Sequence, residues 1–292
     1  MRMSSTGSSS SQVRPTRLLT QQEKLARVYE EGVYPLFGQK LADLLMANLV
    51  LARNGHVLQM GCGLGTTNTE ILQQTDADSR LIAVETTPAF VERARANVPA
   101  EYLGRRVFFR AHNLEGKLPF AENAFDHVLA NVSLAYLAAP DTLVSELVRV
   151  TKPGGELRLA TPLAGTWREF LDVYSDVLVR LRRQDLVEAL TAYGKSFPEP
   201  EALAKRMEAA GIGKIAVETT HWELIFRTGR EFFYAPVIEL GPLARWKAIA
   251  GKGAPMQDIF LAVKEAIDTY FAGSAFGVSV VAGVFSGAKG AK

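Results

Sequence analysis

Three glycines at alternate positions, Gly61-Cys62-Gly63-Leu64-Gly65, follow directly on a run of buried-strand character, His56-Val57-Leu58-Gln59-Met60. A helix-compatible stretch from Thr66 to Gln74 comes next. A strand that runs into a glycine turn and then a helix opens a βαβ unit, and βαβ units commit a chain to a parallel sheet with crossover helices. Glycine at such a bend permits positive φ and lets a ligand approach the backbone with no Cβ in the way. The helix start beyond it offers free N–H groups, including those near Thr66 and Thr67. A tight turn that binds nothing has the same form; the flanking alternation is what favours a ligand site.

That alternation continues along the chain. Strands are expected at Leu81–Val84, Arg106–Ala111, Phe125–Ala130 and Glu156–Ala160, with helices at Pro88–Asn97 and Asp141–Val150. Lys152-Pro153-Gly154-Gly155 has the chemistry of a type II turn. Right-handed crossovers place the strand C-termini, and the ligand crevice, on one edge of the sheet. Upstream, Thr20 with Glu23 predicts a capping box and a helix to about Glu31. Gly32 and Pro35 break it, and Leu36 to Val50 resumes a helical pattern. Beyond Pro162 the rhythm changes. One long amphipathic helix is expected from Trp167 to about Leu190 and a shorter one from Glu199 to Ala210, then a strand at Ile215–Phe226. Thr228 to Met256, rich in aromatics, Pro and Gly, reads as an inserted lid, followed by a helix at Gln257–Phe271 and a last strand at Phe276–Phe285. This divides the chain into a disordered tail at 1–17, a helical cap at 18–54 and a ligand-binding core at 55–165. A C-terminal part with the lid covers 166–286, and a second tail covers 287–292.

Charge and cysteine usage narrow the function. Lys plus Arg is 33 against 31 acids, a balance that gives no reason to expect nucleic acid as a partner. Cys62 is the one cysteine, which excludes an internal disulfide and suits a reducing cytoplasm. No apolar run is long enough to span a bilayer, and Met1–Ser11 lacks the apolar centre of a secretion signal. His56, His112, His127 and His221 show no metal spacing, so no metal is expected. Neither a G-x-S-x-G nor a G-K-[ST] loop is present to support hydrolase or nucleotidase chemistry.

The glycine spacing separates two cofactor classes. A dinucleotide fingerprint wants glycine at the first, third and sixth positions, and the sixth here is Thr66. Glycines at first, third and fifth suit a nucleoside cofactor without a pyrophosphate and disfavour an NAD enzyme. Glu85, ending the second strand, can accept from the hydroxyls of a ribose, although a helix-capping or surface acid would occupy the same place. Val57–Gly65 resembles the first motif of the class I S-adenosylmethionine-dependent methyltransferases, and Ala83-Val84-Glu85 their second, acid-ending strand. Leu118-Pro119-Phe120 with Asn123-Ala124-Phe125-Asp126 is similar to the family's run before the fourth strand. Arg149–Gly155 resembles its turn into the fifth. The matches extend from about Tyr29 to Pro162, and the flavour is that of small-molecule enzymes of ubiquinone and menaquinone biosynthesis.

The resemblance implies a Rossmann-like α/β fold: a mostly parallel seven-stranded sheet, helices on both faces and a C-terminal lid insertion. It implies S-adenosylmethionine as cofactor, held by Gln59, Gly61, Cys62, Gly63, Leu64, Gly65, Glu85, Thr86, His112, Asn113, Leu114 and Asn131. The implied reaction is methyl transfer to a small or carrier-bound, partly apolar acceptor. Two positions depart from the family. Gln59 stands where an acid usually helps hold the cofactor's methionine end. Ala111-His112-Asn113-Leu114 lacks the Asp that commonly reads adenine, leaving Asn113, His112 or a backbone N–H for that role. Methyl transfer demands alignment more than acid–base help, so no catalytic residue is named. Tyr29 and Tyr34 either close over the pocket or pack a helix end. His221, Trp222, Phe232, Phe233 and Tyr234 either line an acceptor pocket or pack the lid. The alternative function is a pseudo-methyltransferase, the fold retained as a scaffold, regulatory or partner-binding module. A protein partner or a homo-oligomer stays open in both cases.

Overall fold

The computed structural model describes residues 20–290; the tail expected at 1–17 lies outside them. The Thr20 hydroxyl accepts from Glu23 N at 3.2 Å and the Glu23 carboxylate from Thr20 N at 2.7 Å, starting α1 (Gln21–Gly32) with the expected capping box. Pro35 has no N–H to donate, and the chain passes through a wide π-type turn at Tyr34–Gly38 before α2 (Gln39–Met46). The alternation then runs β1 (Val57–Met60), α3 (Asn68–Gln74), β2 (Leu81–Glu85), α4 (Pro88–Ala96), β3 (Val107–Ala111), β4 (Phe125–Asn131), α5 (Pro140–Val150) and β5 (Thr151–Pro162). After it come α6 (Arg168–Arg180), α7 (Gln184–Gly194), α8 (Pro200–Ala209) and β6 (Ala216–Phe226). Four helices, α9 (Gly229–Tyr234), α10 (Pro236–Glu239), α11 (Leu243–Ala250) and α12 (Gly253–Tyr270), precede β7 (Phe276–Ala288).

The seven strands form one sheet in the order β3-β2-β1-β4-β5-β7-β6. The first five are parallel, and β7 inserts antiparallel to both β5 and β6. The chain winds outward from β1 to β3, then returns to place β4 on the other side of β1. That reversal leaves a crevice beyond the carboxyl ends of β1 and β4, where open α/β sheets bind ligands. Alternate strand residues serve opposite faces. Leu58, Met60, Val128, Ala130, Leu157 and Leu159 pack with residues of α5 and α8. Val57, Ala83, Leu129, Ala160 and Val284 pack with residues of α2, α3 and α4. A third, aromatic-rich core joins α6, α7 and α9–α12 to the ends of β6 and β7.

Three expectations need correction. The Lys152–Gly155 turn is an excursion within β5 rather than a turn ahead of it: Phe125 pairs with Thr151 and His127 with Glu156, with Gly154 at φ 75° between them. The single helix expected over Trp167–Leu190 is two, α6 and α7, broken at Leu181–Arg183 where Arg182 sits at φ 57°. The described part of the tail expected at 287–292, residues 287–290, is tied into the sheet. β7 continues to Ala288, Lys289 exchanges hydrogen bonds with Gly154 and Gly155, and Gly290 N donates to Gly211 O at 3.0 Å.

Candidate functional site

The crevice is built by a backbone bend that tolerates no side chain. Gly61 N and Cys62 N both donate to Val84 O, at 2.9 and 3.1 Å, which turns the chain sharply after β1. Gly61 has φ 69°, and a Cβ there would stand 2.1 Å from the Asn131 carbonyl at the end of β4. Gly63, at φ 53°, has nothing within 4 Å of its Cβ position and borders open space. Over this bend lies the Glu85 carboxylate, 8% exposed. Oε2 accepts from Gly63 N at 2.9 Å, and Oε1 accepts from Thr86 N at 2.7 Å and the Thr86 hydroxyl at 3.0 Å. Three donors fill three of roughly four acceptor positions and hold the carboxylate still. One position remains, and rotation of the Thr86 hydroxyl releases a second.

The space beside Glu85 is a cavity of about 160 Å³. Of the expected residues, Gln59, Gly61, Cys62, Gly63, Glu85 and Asn131 line it. The others do not. Leu64 is buried away from it, and Gly65 packs against Asn68 and Ala94. Thr86 touches the site through the Glu85 carboxylate alone, and Leu114 is buried in the core behind β4. Asn113, one of the candidates for reading adenine, uses its Oδ1 to accept from Glu115 N at 3.1 Å. His112 stays near the site through its backbone, N donating to Glu85 O at 2.9 Å, and its Nε2 is buried with no partner.

Gln59 is a tether. Its Nε2 donates to the Thr67 hydroxyl at 2.7 Å and its Oε1 accepts from Asn68 Nδ2, fixing the start of α3 to β1. An amide can do both; a carboxylate could only accept. Cys62 is inert for a related reason. Its thiol is pushed up by burial and then by the Glu85 charge, so the thiolate nucleophile is scarce at neutral pH.

The remaining wall comes from the N-terminal helices. Tyr29, Tyr34, Phe37, Gly38, Leu41, Ala42 and Leu45 line the cavity, with Phe90, Thr66, Thr67 and Ser133 opposite. The Tyr34 hydroxyl hydrogen-bonds the Thr66 hydroxyl, Tyr29 packs on Phe90 at 4.9 Å, and Glu30 pairs with Arg93, so α1 is latched onto α4. Burial, then the Glu85 charge, pushes the Tyr29 phenol up to about 12. Both tyrosines therefore line the pocket and pack the cap. Phe37, Leu41, Leu45 and Ser133 escape sequence reasoning, because apolar residues at i and i+4 read as core and a serine after a strand reads as loop.

A second cavity, of about 150 Å³, shares Tyr29, Phe37 and Ser133 with the first. Val33, Tyr136, Trp167, Val237, Leu240, Gly241 and Pro242 complete it, and no Asp, Glu, Lys, Arg or His lines it. None of His221, Trp222, Phe232, Phe233 and Tyr234, the residues considered for an acceptor pocket, lines it. Phe232 is fully buried in the lid, Tyr234 is exposed, and Trp222 braces Phe37 and donates to Leu36 O at 3.0 Å.

Residues 58–159, from β1 through most of β5, match the sequence model of the methyltransferase domain. Over that stretch the chain has the sequence of a methyltransferase domain. It is similar to a demethylmenaquinone methyltransferase of Streptomyces avermitilis, 34% identical over 109 residues, covering 34% of this chain and 47% of the relative. It is also similar to a trans-aconitate 2-methyltransferase of Delftia acidovorans, 30% identical over 119 residues, 40% of this chain and 42% of the relative. The chain thus spans about half the length of these curated relatives. Among solved structures, phosphoethanolamine N-methyltransferase 2 of Haemonchus contortus in complex with S-adenosyl-L-methionine superposes with a TM-score of 0.51 at 16% identity. That match covers 92% of this chain and 57% of the other, a likeness of fold. The methyltransferase domain as matched holds the glycine bend, Glu85 and Asn131, whereas the α1–α2 wall and most of the second cavity lie outside it.

Proposed function

We propose that this chain is an S-adenosylmethionine-dependent methyltransferase acting in the cytoplasm on a small, uncharged, largely apolar acceptor. The observation that carries this is the buried Glu85 carboxylate, aimed into a cavity at the sheet's switch point, beside an apolar chamber that shares Tyr29, Phe37 and Ser133 with it. The residues suit the cofactor. Gly63 leaves open space where a side chain would block it, and Glu85 keeps acceptor capacity for a ribose. Thr66, Thr67 and Tyr34 offer hydroxyls at the far end, where Gln59 brings no charge. Bound S-adenosylmethionine supplies an electrophilic methyl group on a cationic sulfur. What the protein does is align. Tyr29, Phe37 and Ser133 stand between the two spaces, and the latched α1–α2 cap keeps bulk water away from them.

The chamber wall bears on the acceptor. The relatives are named for a demethylmenaquinone and for trans-aconitate. A tricarboxylate would bring several charges into a wall without a cation, each costing several kcal/mol if unpaired. An apolar ring loses little there, which favours an acceptor of the first kind. The scaffold reading accounts less well for a carboxylate held by three donors beside open space.

Isothermal titration with S-adenosylhomocysteine tests the proposal. Saturable binding is expected, and Glu85→Ala should weaken it by about ten- to a hundredfold, the loss of one or two charge-assisted contacts. No heat and no thermal shift at about 1 mM ligand, enough to half-fill even a site worth about −4 kcal/mol, would defeat it.

A further inference from the structure

Behind the uncharged chamber lies an imbalance of donors. Trp167 Nε1 donates to the Tyr136 hydroxyl at 3.4 Å, and both residues line the chamber. Tyr193 and Trp246 form a second layer. Trp246 meets Trp167 edge-on at 5.9 Å, and Tyr193 and Tyr136 both pack their edges against Phe197. The Tyr193 hydroxyl and Trp246 Nε1 are buried and make no hydrogen bond of ordinary length, although Tyr136 and Trp246 both stand close enough to the Tyr193 hydroxyl to act on it. The group therefore holds four N–H or O–H protons and two oxygens, and an indole can only donate. Burial keeps both phenols protonated, Tyr136 acting on Tyr193 in the same direction. A buried donor left unmade is costly, and a site that keeps several of them beside a cavity is shaped for something that accepts.

We propose that the Tyr136–Tyr193 pair, backed by Trp167 and Trp246, recognises a neutral oxygen on the acceptor ring, of the phenol, enol or ketone class. An anion is not what the group suits. The nearest guanidinium, Arg245, lies over the Tyr136 ring at 5.2 Å and donates to the Tyr136 backbone carbonyl, so it belongs to the wall. The oxygen would enter from the chamber, accept a hydrogen bond from the hydroxyl of Tyr136 or Tyr193, and orient the ring so that a carbon or oxygen on its other side faces Ser133. This assignment rests on the reading that the chamber receives the methyl acceptor.

The test uses a matched pair of probes, 1-naphthol and naphthalene, measured by equilibrium dialysis on the full chain with and without S-adenosylhomocysteine. The wild type should prefer 1-naphthol by about tenfold. Tyr193→Phe and Tyr136→Phe should each cut that preference to about threefold or less, leaving naphthalene and S-adenosylhomocysteine affinities unchanged. Tyr193→Phe removes a hydroxyl that makes no hydrogen bond of ordinary length, so its Tm should hold or rise. Equal affinity for the two probes in the wild type overturns the proposal. So does a preference that survives in both variants, or a fall in Tm for Tyr193→Phe with the preference intact, which would make the hydroxyl structural or the host of a buried water. If S-adenosylhomocysteine fails to bind while the preference stands, the methyltransferase reading falls and the oxygen site remains. If it binds and the preference is absent, the reverse holds.

Discussion

The two glycines at the bend have different duties, and the difference can be measured. A Cβ on Gly61 would overlap the Asn131 carbonyl at 2.1 Å, so Gly61→Ala must push β4 away from β1 as well as hold φ 69°. Strain of about 1–3 kcal/mol from the dihedral alone, with the clash added, should leave little folded protein. Gly63→Ala meets no atom and should lose only about 1–2 kcal/mol for a left-handed alanine. Its methyl group points into the cavity, so S-adenosylhomocysteine binding should fall by more than tenfold in a protein whose circular dichroism is unchanged. Equal binding by Gly63→Ala would mean that the ligand does not approach this backbone. The sequence reveals the bend, since glycine spacing after a strand has few other uses. It does not separate the two duties, which depend on where β4 ends. Gln59 looked in the sequence like a weakened ligand; its amide is spent on Thr67 and Asn68, a role invisible until α3 is placed.

At the scale of elements, the cavity is half sheet edge and half cap. The Tyr34–Thr66 hydroxyl pair crosses the cavity wall from the π-type turn to the residues just before α3. Removing one hydrogen bond of about 0.5–1.5 kcal/mol by Tyr34→Phe should raise the dissociation rate of S-adenosylhomocysteine by about two- to tenfold, with Tm nearly unchanged; surface plasmon resonance would read it. An unchanged off-rate would show that the cap does not gate the site. The cap's helices were legible from Thr20, Glu23, Gly32 and Pro35, but its role as a wall was not. Leu41 and Leu45 serve the core and the cavity with the same face. The α6–α7 break was hidden for another reason. Leu181-Arg182-Arg183 holds no Gly or Pro, and the apolar period runs on through it, so only packing in the lid core imposes the left-handed Arg182.

For the whole molecule, the C-terminal strand is what makes one sheet of two parts. β7 pairs with β5 of the parallel half and with β6 of the lid half, so the last segment of chain fastens the aromatic lid core to the cofactor half. Composition misleads at its end. Gly287-Ala288-Lys289-Gly290 reads as a loose tail, yet Lys289 Nζ donates to Asn123 Oδ1 at 2.8 Å, Thr151 O at 2.9 Å and Arg149 O at 3.3 Å. Two of these are carbonyls at the C-terminal end of α5, where the helix dipole favours a cation. The contacts lie at the opposite end of the strands from the cavity, near the starts of β4 and β5. Lys289→Ala should therefore cost about 1–3 kcal/mol and lower Tm by roughly 2–8 °C. S-adenosylhomocysteine affinity should stay as in the wild type, and an exposed control, Lys214→Ala, should leave both unchanged. A Tm that does not move would return the chain end to the status its composition suggests. A loss of affinity with Tm would mean that the two ends of the sheet are coupled, and that the lid half shapes the cavity beside Glu85 as well as completing the second cavity.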